Sequence, residues 1–213
     1  MIFNNYRPVS ILPIFSKILE RIMYNRLLDY MDKLNILNNN QFGFRKDHSA
    51  AMALTSLVDK ISKAIENGEV VLGLFLDFSK AFDTVNYDIL FTKLFHYGIR
   101  GCNLSWFKSY LLNREQFVSY NGHDSSRQIV KCGVPQGSIL GPLLFLIYVN
   151  DLSTVSTLLV DIMFADDTNL FLAEKDLSNL ERIMNEELAK INTWVQVDKL
   201  SLNIKKTNFM LFK

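Results

Sequence analysis

The sequence contains the stretch VVLGLFLD at residues 70–77, and this stretch decides the fold that we predict. Its first seven residues form an unbroken apolar run, which is typical of a strand buried in the core of a sheet. Asp77 follows at once, and a charged side chain beside a buried strand is costly unless another group compensates it. We therefore predict a core strand whose carboxyl end presents a carboxylate.

Two more carboxylates, Asp166 and Asp167, lie between the apolar stretches 158–164 and 169–173, which we predict to be two strands of a hairpin. Taken alone, an Asp-Asp pair at a turn is usually turn chemistry, because Asp side chains bond to their own backbone there. The sharper interpretation is that the hairpin lies beside the strand that ends at Asp77. Three carboxylates would then meet, and they would repel one another unless cations neutralised them.

Divalent cations would both neutralise such a group and supply its chemistry. Two Mg²⁺ ions about 3.5–4 Å apart can clamp the attacking and leaving oxygens of an in-line phosphoryl displacement. Ligation by carboxylates alone suits Mg²⁺ or Mn²⁺ and disfavours zinc. In the sharper interpretation, the three carboxylates would therefore form a site for phosphoryl transfer, whereas in the other the aspartate pair only shapes a turn.

Hydrophobic periodicity and capping residues predict the remaining elements. We predict helices over residues 14–35, with one apolar face, and over residues 50–66 and 138–150, and a short helix around Trp106. We also predict a helix that Asn86 caps and that runs to Gly98, and a long amphipathic helix that Asp176 caps and that runs to about Val197. Further strands are predicted over residues 116–120 and 127–131, joined through the turn signal Asn121-Gly122, and over residues 208–212. Because strands and helices do not alternate regularly, the α+β class is favoured over a parallel α/β fold.

Composition excludes several classes of protein. The 213 residues are 49% hydrophobic and 21% charged, which are globular proportions, and the formal net charge of +1 excludes an arm-like nucleic-acid binder. Two cysteines and three histidines cannot build a disulfide framework or a zinc cluster. No apolar stretch reaches the ~20 residues of a membrane span and no signal peptide is visible, so we expect an intracellular protein, in the nucleus, the cytoplasm or both.

Seven short strings occur in an order that resembles a known family. They are NYRPVSILP (5–13), QFGFR (41–45), LDFSKAFD (76–83), VPQGSILGP (134–142), FADD (164–167), KLSLN (199–203) and KKT (205–207). Together they resemble the reverse transcriptase of non-LTR retrotransposons, of the jockey-like kind, over essentially the whole chain. One string alone would be weak evidence, whereas the ordered set is specific.

The resemblance implies the fingers and palm of a right-hand polymerase, with an antiparallel palm sheet backed by helices. Residues up to about 70 would be a fingers-like start, and residues from about 71 to 213 would be mostly palm with a fingers-side insertion. We expect the chain to be truncated at both ends. The thumb would be absent, and thumb and endonuclease regions would belong to a full-length parent.

The resemblance also assigns the site. Asp77 and Asp166 would be the main ligands of two Mg²⁺ ions, and Asp167 would assist them. Phe78 would lend its backbone carbonyl. One ion would activate a primer 3′-hydroxyl and the other would hold the triphosphate of a dNTP. Phe82 matches the steric-gate position that selects dNTPs over rNTPs, whereas on its own the ring would be interpreted as core.

Five further residues match functional positions of the family. Gln136 and Gly137 match a loop that contacts the incoming nucleotide and the template, and Arg7 and Arg45 lie in the fingers-like segment. Lys206 matches the position proposed to protonate pyrophosphate. Without the resemblance these residues would be an ordinary turn, two surface arginines and a solvated lysine.

We therefore expect an RNA-directed DNA polymerase that adds dNTPs to a primer 3′-hydroxyl on an RNA template, as part of retrotransposition. The alternative is a catalytically inactive, transposon-derived fragment that keeps the palm fold. Viral RNA replicases are disfavoured by Phe82 and by the residues before Asp166, and a group II intron-type enzyme fits residues 80–83 less well. One departure from the family pattern, Asp47 in place of a glycine, is expected to affect the fingers loop more than the metals.

Overall fold

The computed structural model describes residues 9–213. The chain divides into two compact units. Of the described residues, unit 1 contains residues 9–27 together with Phe82–Tyr148, and unit 2 contains Leu28–Ala81 together with Val149–Lys213.

The described residues form helices and strands close to the predicted ones. The helices are α1 (Ile14–Lys33), α2 (Ala50–Glu66), α3 (Tyr87–His96), α4 (Gly101–Leu111), α5 (Gly141–Val149) and α6 (Leu177–Val197). The strands are β1 (Val70–Leu76), β2 (Glu115–Gln116), β3 (Ser119–Tyr120), β4 (His123–Asp124), β5 (Gln128–Ile129), β6 (Val160–Phe164), β7 (Asp167–Glu174) and β8 (Asn208–Phe212). The mixture of helices with antiparallel strands confirms the α+β class. Within residues 9–213, each helix is too short or too polar to traverse a lipid bilayer.

Unit 2 is built on a four-stranded antiparallel sheet in the order β6-β7-β1-β8. β1 lies between β7 and β8, as its continuous apolar sequence predicts for an inner strand. Leu76 at its end lies opposite Thr168 of β7. The hairpin of β6 and β7 therefore lies beside β1, which confirms the predicted neighbourhood of the two carboxylate segments.

Helix α2 packs against this sheet. Alternation along β1 points Val71 and Phe75 to one face, where they pack with Ala53 of α2 and with Phe171 of β7. A Cβ at Gly73 would lie only 2.7 Å from the Phe171 ring. The glycine in the middle of the strand is therefore needed because an aromatic side chain crosses it.

Helix α6 is the long amphipathic helix that the sequence predicts, and it packs against β1 and β7. Its buried apolar residues recur at helical spacing: Leu180, Met184, Ile191 and Val195. The Asp176 carboxylate accepts a hydrogen bond from the Asn179 N–H at 2.7 Å, which confirms the predicted N-cap.

Unit 1 contains α5, which is apolar on all sides. Each residue from Leu143 to Tyr148 is at most 1% exposed, as expected of a helix without a polar face. Helix α3 is capped by Asn86, as predicted, through a hydrogen bond from the Ile89 N–H. Lys93 of α3 donates to the carbonyl of Tyr148 at 2.6 Å, so a carbonyl near the end of α5 is satisfied.

Residues 115–129 form two short ribbons rather than the two longer strands that we predicted. β2 pairs with β5, and β3 pairs with β4. Asn121 and Gly122 have φ values of 48° and 76° and form the two-residue turn between β3 and β4, as Asn-Gly pairs favour. All residues of the four strands are exposed, so no core face prolongs the pairing.

The apolar stripe that we predicted along the first helix is only partly buried. Leu27 and Met31 are 5% and 0% exposed, whereas Ile14 and Ile18 are 76% and 50% exposed. Periodicity identified the helix but not which of its turns are covered, because burial depends on what packs against the helix.

We expect Asp176→Ala to lower the free energy of unfolding by about 1 kcal/mol, because the Asn179 N–H loses its acceptor at the start of α6. Asp176→Asn is the matched control, since asparagine keeps the accepting oxygen and is an equally good N-cap. Urea titration followed by circular dichroism measures both variants. Equal losses in the two would contradict the capping role.

Candidate active site

Two carboxylates meet at one edge of the sheet in unit 2. Asp77 directly follows Leu76, and Asp167 directly precedes Thr168. The pairing of Leu76 with Thr168 therefore brings both carboxylates to the same edge. Both line a pocket of about 540 Å³, together with Lys206. The rest of the lining is mostly apolar side chains from α2 and the sheet.

The segment between α6 and β8 braces Asp77. The Asp77 carbonyl accepts from the Asn203 N–H at 2.7 Å, and the Ser79 N–H donates to the Ser201 carbonyl at 2.7 Å. These bonds bring the Lys206 ammonium to 3.9 Å from Asp77 Oδ2. Because the Asp77 side chain is 27% exposed and that of Lys206 is 64% exposed, solvent screens this ion pair. Lys206, which the resemblance alone assigned, thus lies beside Asp77.

A two-residue turn, Ala165-Asp166, joins β6 to β7. Asp166 is half-buried and Asp167 is exposed. Asp77 and Asp167 line the pocket, and Asp166 is not among its lining residues. Among residues 9–213, no group of three or more His, Cys, Asp or Glu side chains is arranged to hold a metal. The structure therefore brings Asp77 and Asp167 together and leaves Asp166 in the turn, where strand alternation no longer sets the direction of a side chain.

One residue without a predicted role touches this turn. Gln41 is 3% exposed, and its side-chain amide bonds to both the N–H and the carbonyl of Ala165. Gln41 lies in the string QFGFR, one of the seven that carry the family resemblance. Because Gln41 and Ala165 lie 124 positions apart in the chain, no local sequence pattern indicates that Gln41 contacts the turn.

Phe78 has a buried ring. The residue is 4% exposed, its ring centroid lies 6.4 Å from that of Trp194 in α6, and its backbone forms a bridge with Leu202. If Phe78 binds a metal ion, it does so through its backbone carbonyl, which is the role that the resemblance implies.

Phe82 belongs to unit 1, where its ring packs on Phe145 of α5 with the ring centroids 4.4 Å apart. The side chain is half-buried. The Val134 N–H donates to the Phe82 carbonyl at 2.8 Å, which ties the loop before α5 to this residue. A ring that is held by the core and still partly open suits both the core role and the gate role that the sequence left open.

The loop at Gln136 and Gly137 is braced within unit 1. Gln136 Nε2 donates to Asp83 Oδ1 at 2.8 Å, and the Gln136 carbonyl accepts from the Ser10 N–H at 2.8 Å. Gly137 has a φ of 99°, and a Cβ there would come within 3.2 Å of the Ser10 carbonyl oxygen. Glycine is therefore the residue that this position requires.

Glu20 of α1, which sequence reasoning missed, supports the same loop. It is 1% exposed, and its Oε2 accepts from the Ile139 N–H at 2.7 Å. Tyr87 donates to the Gly133 carbonyl at 3.0 Å, and burial raises the pKa of its phenol to about 12. No pattern signals Glu20, since a glutamate in an amphipathic helix is normally exposed.

The two predicted arginines differ. Arg7 lies outside the described residues. Arg45 donates to the Asn38 carbonyl at 2.8 Å and lies 4.0 Å from Asp32 Oδ1, with its side chain 13% exposed. It lines another pocket of unit 2, of about 220 Å³, and is not among the residues that line the pocket at Asp77. In the structure Arg45 therefore braces the segment after α1.

The chain matches, over residues 3–212, the family described as reverse transcriptase (RNA-dependent DNA polymerase). This match, with the fold and the carboxylate edge described above, shows that the chain belongs to the reverse transcriptase family.

Two relatives are proteins of mobile elements from Drosophila melanogaster. The probable RNA-directed DNA polymerase from transposon BS is 34% identical, over 96% of this chain and 23% of its own length. The RNA-directed DNA polymerase from mobile element jockey is 33% identical, over 95% of this chain and 23% of its own length. The chain thus spans about a quarter of the length of these curated relatives.

The fold is similar to that of solved telomerase structures. A telomerase from Candida tropicalis, solved in complex with the TWJ fragment of telomeric RNA, matches 94% of this chain and 34% of its own with a TM-score of 0.64 and 12% identity. Telomerase from Candida albicans gives a TM-score of 0.60 over 92% of this chain and 35% of its own, with 16% identity. At such identities the likeness shows a shared fold.

We expect Glu20→Ala to lower the free energy of unfolding by about 1–3 kcal/mol, because the partly buried Ile139 N–H loses its acceptor. Glu20→Gln keeps an accepting oxygen, so its loss is expected to be smaller. Chemical denaturation of the two variants beside the wild type measures the difference. A Glu20→Ala variant as stable as the wild type would contradict a supporting role for this carboxylate.

Proposed function

We propose that this chain carries the polymerase chemistry of a reverse transcriptase, the RNA-directed transfer of dNTPs to a primer 3′-hydroxyl, as part of retrotransposition. The observation that carries the proposal is the open pocket shared by Asp77 and Asp167, beside the turn that holds Asp166. Carboxylates gathered at one edge of a sheet are the donors that two-metal nucleotidyl transfer uses. The pocket volume of about 540 Å³ is that of a small-molecule site.

The donor chemistry of this edge fits Mg²⁺. The carboxylates of Asp77, Asp166 and Asp167 and the carbonyl of Phe78 offer only oxygen, which Mg²⁺ prefers. These four residues would hold two Mg²⁺ ions, for which Mn²⁺ could substitute. When bound, such ions neutralise charge on a triphosphate and activate the attacking hydroxyl.

Lys206 is the proton donor of the proposed reaction. Its exposed ammonium lies 3.9 Å from Asp77 Oδ2, so the carboxylate attracts it to the pocket. In this position it would protonate the leaving pyrophosphate as general acid. The same positive charge offsets part of the negative charge at the sheet edge before substrate binds.

The remaining substrate contacts come from residues that the family resemblance assigned. The partly open ring of Phe82 would exclude the 2′-hydroxyl of an rNTP, and Gln136 and Gly137 would contact the incoming nucleotide and the template. Arg7 would contact the triphosphate, and Arg45 would bind substrate from the fingers-like segment, for which it has to exchange its present hydrogen bond. Residues up to about 70 would act as fingers and residues from about 71 to 213 mostly as palm.

The proposed partners follow from the family and from the names of the relatives, which describe RNA-directed DNA polymerases of mobile elements. They are an RNA template, a DNA primer or target, and dNTPs. Thumb and endonuclease regions would be supplied by a full-length parent protein.

The second candidate is a catalytically inactive, transposon-derived fragment that keeps the palm fold. The observation that favours it is the position of Asp166, which is not among the residues that line the pocket of Asp77 and Asp167. Polymerase activity of the wild-type chain distinguishes the two candidates.

We expect the wild-type chain to extend a DNA primer on an RNA template with dNTPs and Mg²⁺ or Mn²⁺, and Asp166→Asn to abolish extension by removing a carboxylate ligand. Asp176→Asn makes the same chemical change at the N-cap of α6 and should leave extension unchanged. A gel assay of primer length measures all three proteins. Equal extension by wild type and Asp166→Asn would sink the metal assignment, and an inactive wild type would support the second candidate.

We expect Phe82→Ala to lower the preference for dNTPs over rNTPs about tenfold or more, because the ring no longer meets the 2′-hydroxyl. Phe91→Ala removes a buried ring elsewhere in unit 1 and serves as the control. Steady-state kcat/KM values for dGTP and GTP give the preference of each variant. Unchanged selectivity in Phe82→Ala would leave the ring with a core role alone.

A further inference from the structure

Gln41 is held at the side of β6 by backbone hydrogen bonds. The Met163 N–H donates to the Asn40 carbonyl at 2.8 Å, and the Phe42 N–H donates to the Met163 carbonyl at 2.8 Å. The segment thereby forms a short parallel bridge at Gln41 and Met163. This bridge places the Gln41 side chain next to the turn that follows β6.

The side-chain amide of Gln41 forms hydrogen bonds with Ala165, the first residue of that turn. Its Oε1 accepts from the Ala165 N–H at 2.9 Å and from the Gly43 N–H at 2.8 Å, and its Nε2 donates to the Ala165 carbonyl at 3.2 Å. Both backbone groups of Ala165, the residue directly before Asp166, thus have their partner in a side chain that is itself 3% exposed.

The turn needs such a partner. Ala165 has a φ of 58°, a left-handed conformation that costs roughly 1–2 kcal/mol for a residue with a Cβ. The residue is also 7% exposed, so its N–H and carbonyl cannot rely on water. Gln41 supplies an acceptor for this N–H and a donor for this carbonyl, and thereby stabilises the backbone of the turn.

Gly43 allows the close approach. A Cβ on residue 43 would lie 2.1 Å from the Ala165 backbone nitrogen, so any larger residue would push the segment away from the turn. The QFGFR string therefore contains both Gln41, which forms hydrogen bonds with the Ala165 backbone, and Gly43, which allows the segment to approach the turn closely.

The start of the segment is anchored by a different set of contacts. The carboxylate of Asp161, which is 8% exposed, accepts hydrogen bonds from the side-chain amides of Asn38 and Asn40 at 2.5 Å and 3.1 Å. Neither asparagine side chain bonds to the turn in these contacts. Substitution of Asn40 by alanine therefore removes a contact that anchors the segment, while the hydrogen bonds between Gln41 and Ala165 remain.

We infer that Gln41 is a positioning residue that sets the backbone of the Ala165-Asp166 turn and, through it, the direction of the Asp166 and Asp167 carboxylates. The effect on catalysis rests on the proposed polymerase function, whereas the effect on the turn does not. Gln41 itself touches neither metal nor substrate in this role.

The test compares Gln41→Met, Gln41→Glu and Asn40→Ala in the same chain. Methionine has a similar length and makes none of the three hydrogen bonds, whereas an ionised glutamate keeps an acceptor and loses the donor. Amide hydrogen exchange of Ala165 by NMR reports the turn without reference to activity, with Leu170 and Leu172 of β7 as internal references. Primer extension at varied Mg²⁺ and dNTP concentrations then shows whether the Asp166 and Asp167 carboxylates still support metal-dependent activity.

In Gln41→Met we expect the Ala165 amide to exchange about tenfold faster while the reference amides keep their rates, because the acceptor of that N–H is gone. The kcat should fall about tenfold and the Mg²⁺ concentration for half activity should rise, with the KM for dNTP unchanged. The Ala165 exchange rate, the kcat and the Mg²⁺ requirement of Gln41→Glu should lie between those of Gln41→Met and those of the wild type. Asn40→Ala should lower stability without changing the Mg²⁺ requirement.

Unchanged exchange at Ala165 in Gln41→Met would overturn the inference, whatever the activity. If Gln41→Met does not fold, Gln41→Ala, which also removes the acceptor of the Ala165 N–H, is judged by the same criterion. An equal rise in the Mg²⁺ requirement of Asn40→Ala would show that Gln41 acts through stability alone and would also overturn it. Faster exchange in a chain whose wild type has no polymerase activity would support the positioning of the turn and count against the proposed function.

Discussion

Seven consecutive residue pairs join β1 to β7 in antiparallel register, from Val70 with Glu174 to Leu76 with Thr168. This ladder carries the geometry of the candidate site, because the residue after Leu76 and the residue before Thr168 are both aspartates. Side chains alternate along strands, so a slip of one residue would exchange the two faces of β1 and separate the carboxylates from their pocket. The packing of Val71 and Phe75 beneath α2 opposes such a slip, since it would expose apolar side chains.

Buried polar side chains connect this sheet edge and the loop before α5 to distant segments. Gln41 forms hydrogen bonds with the backbone of Ala165, and Asp161 accepts hydrogen bonds from two asparagine side chains. Glu20 accepts a hydrogen bond from the Ile139 N–H. A buried polar group without a partner costs more than an ordinary hydrogen bond contributes, so each of these groups favours a single arrangement of its loop. Sites that depend on a few well-placed oxygens gain from such pre-organised loops.

Local signals predicted much of the fold. The N-caps at Asn86 and Asp176, the apolar run of β1 and the Asn-Gly turn at 121–122 all depend on hydrogen bonds or steric limits within a few residues. Signals that depend on neighbours were less informative. The apolar stripe of α1 is exposed at Ile14, and the strands around residues 116–129 are short because nothing packs on them. Apolar periodicity shows that a face could be buried and does not show what buries it.

The sequence by itself determined the class of the fold, the apolar strands next to the carboxylates, a turn within residues 165–168, and the ordered motifs of the reverse transcriptase family. In the structure that turn is limited to residues 165 and 166, because β7 already begins at Asp167. Only the tertiary structure decided which carboxylates share a pocket, that Lys206 lies beside Asp77, and that Gln41 holds the turn. The physical reason is range. Propensity, capping and turn chemistry act between residues close in the chain, whereas these contacts join residues up to 129 positions apart and exist only once the core has packed.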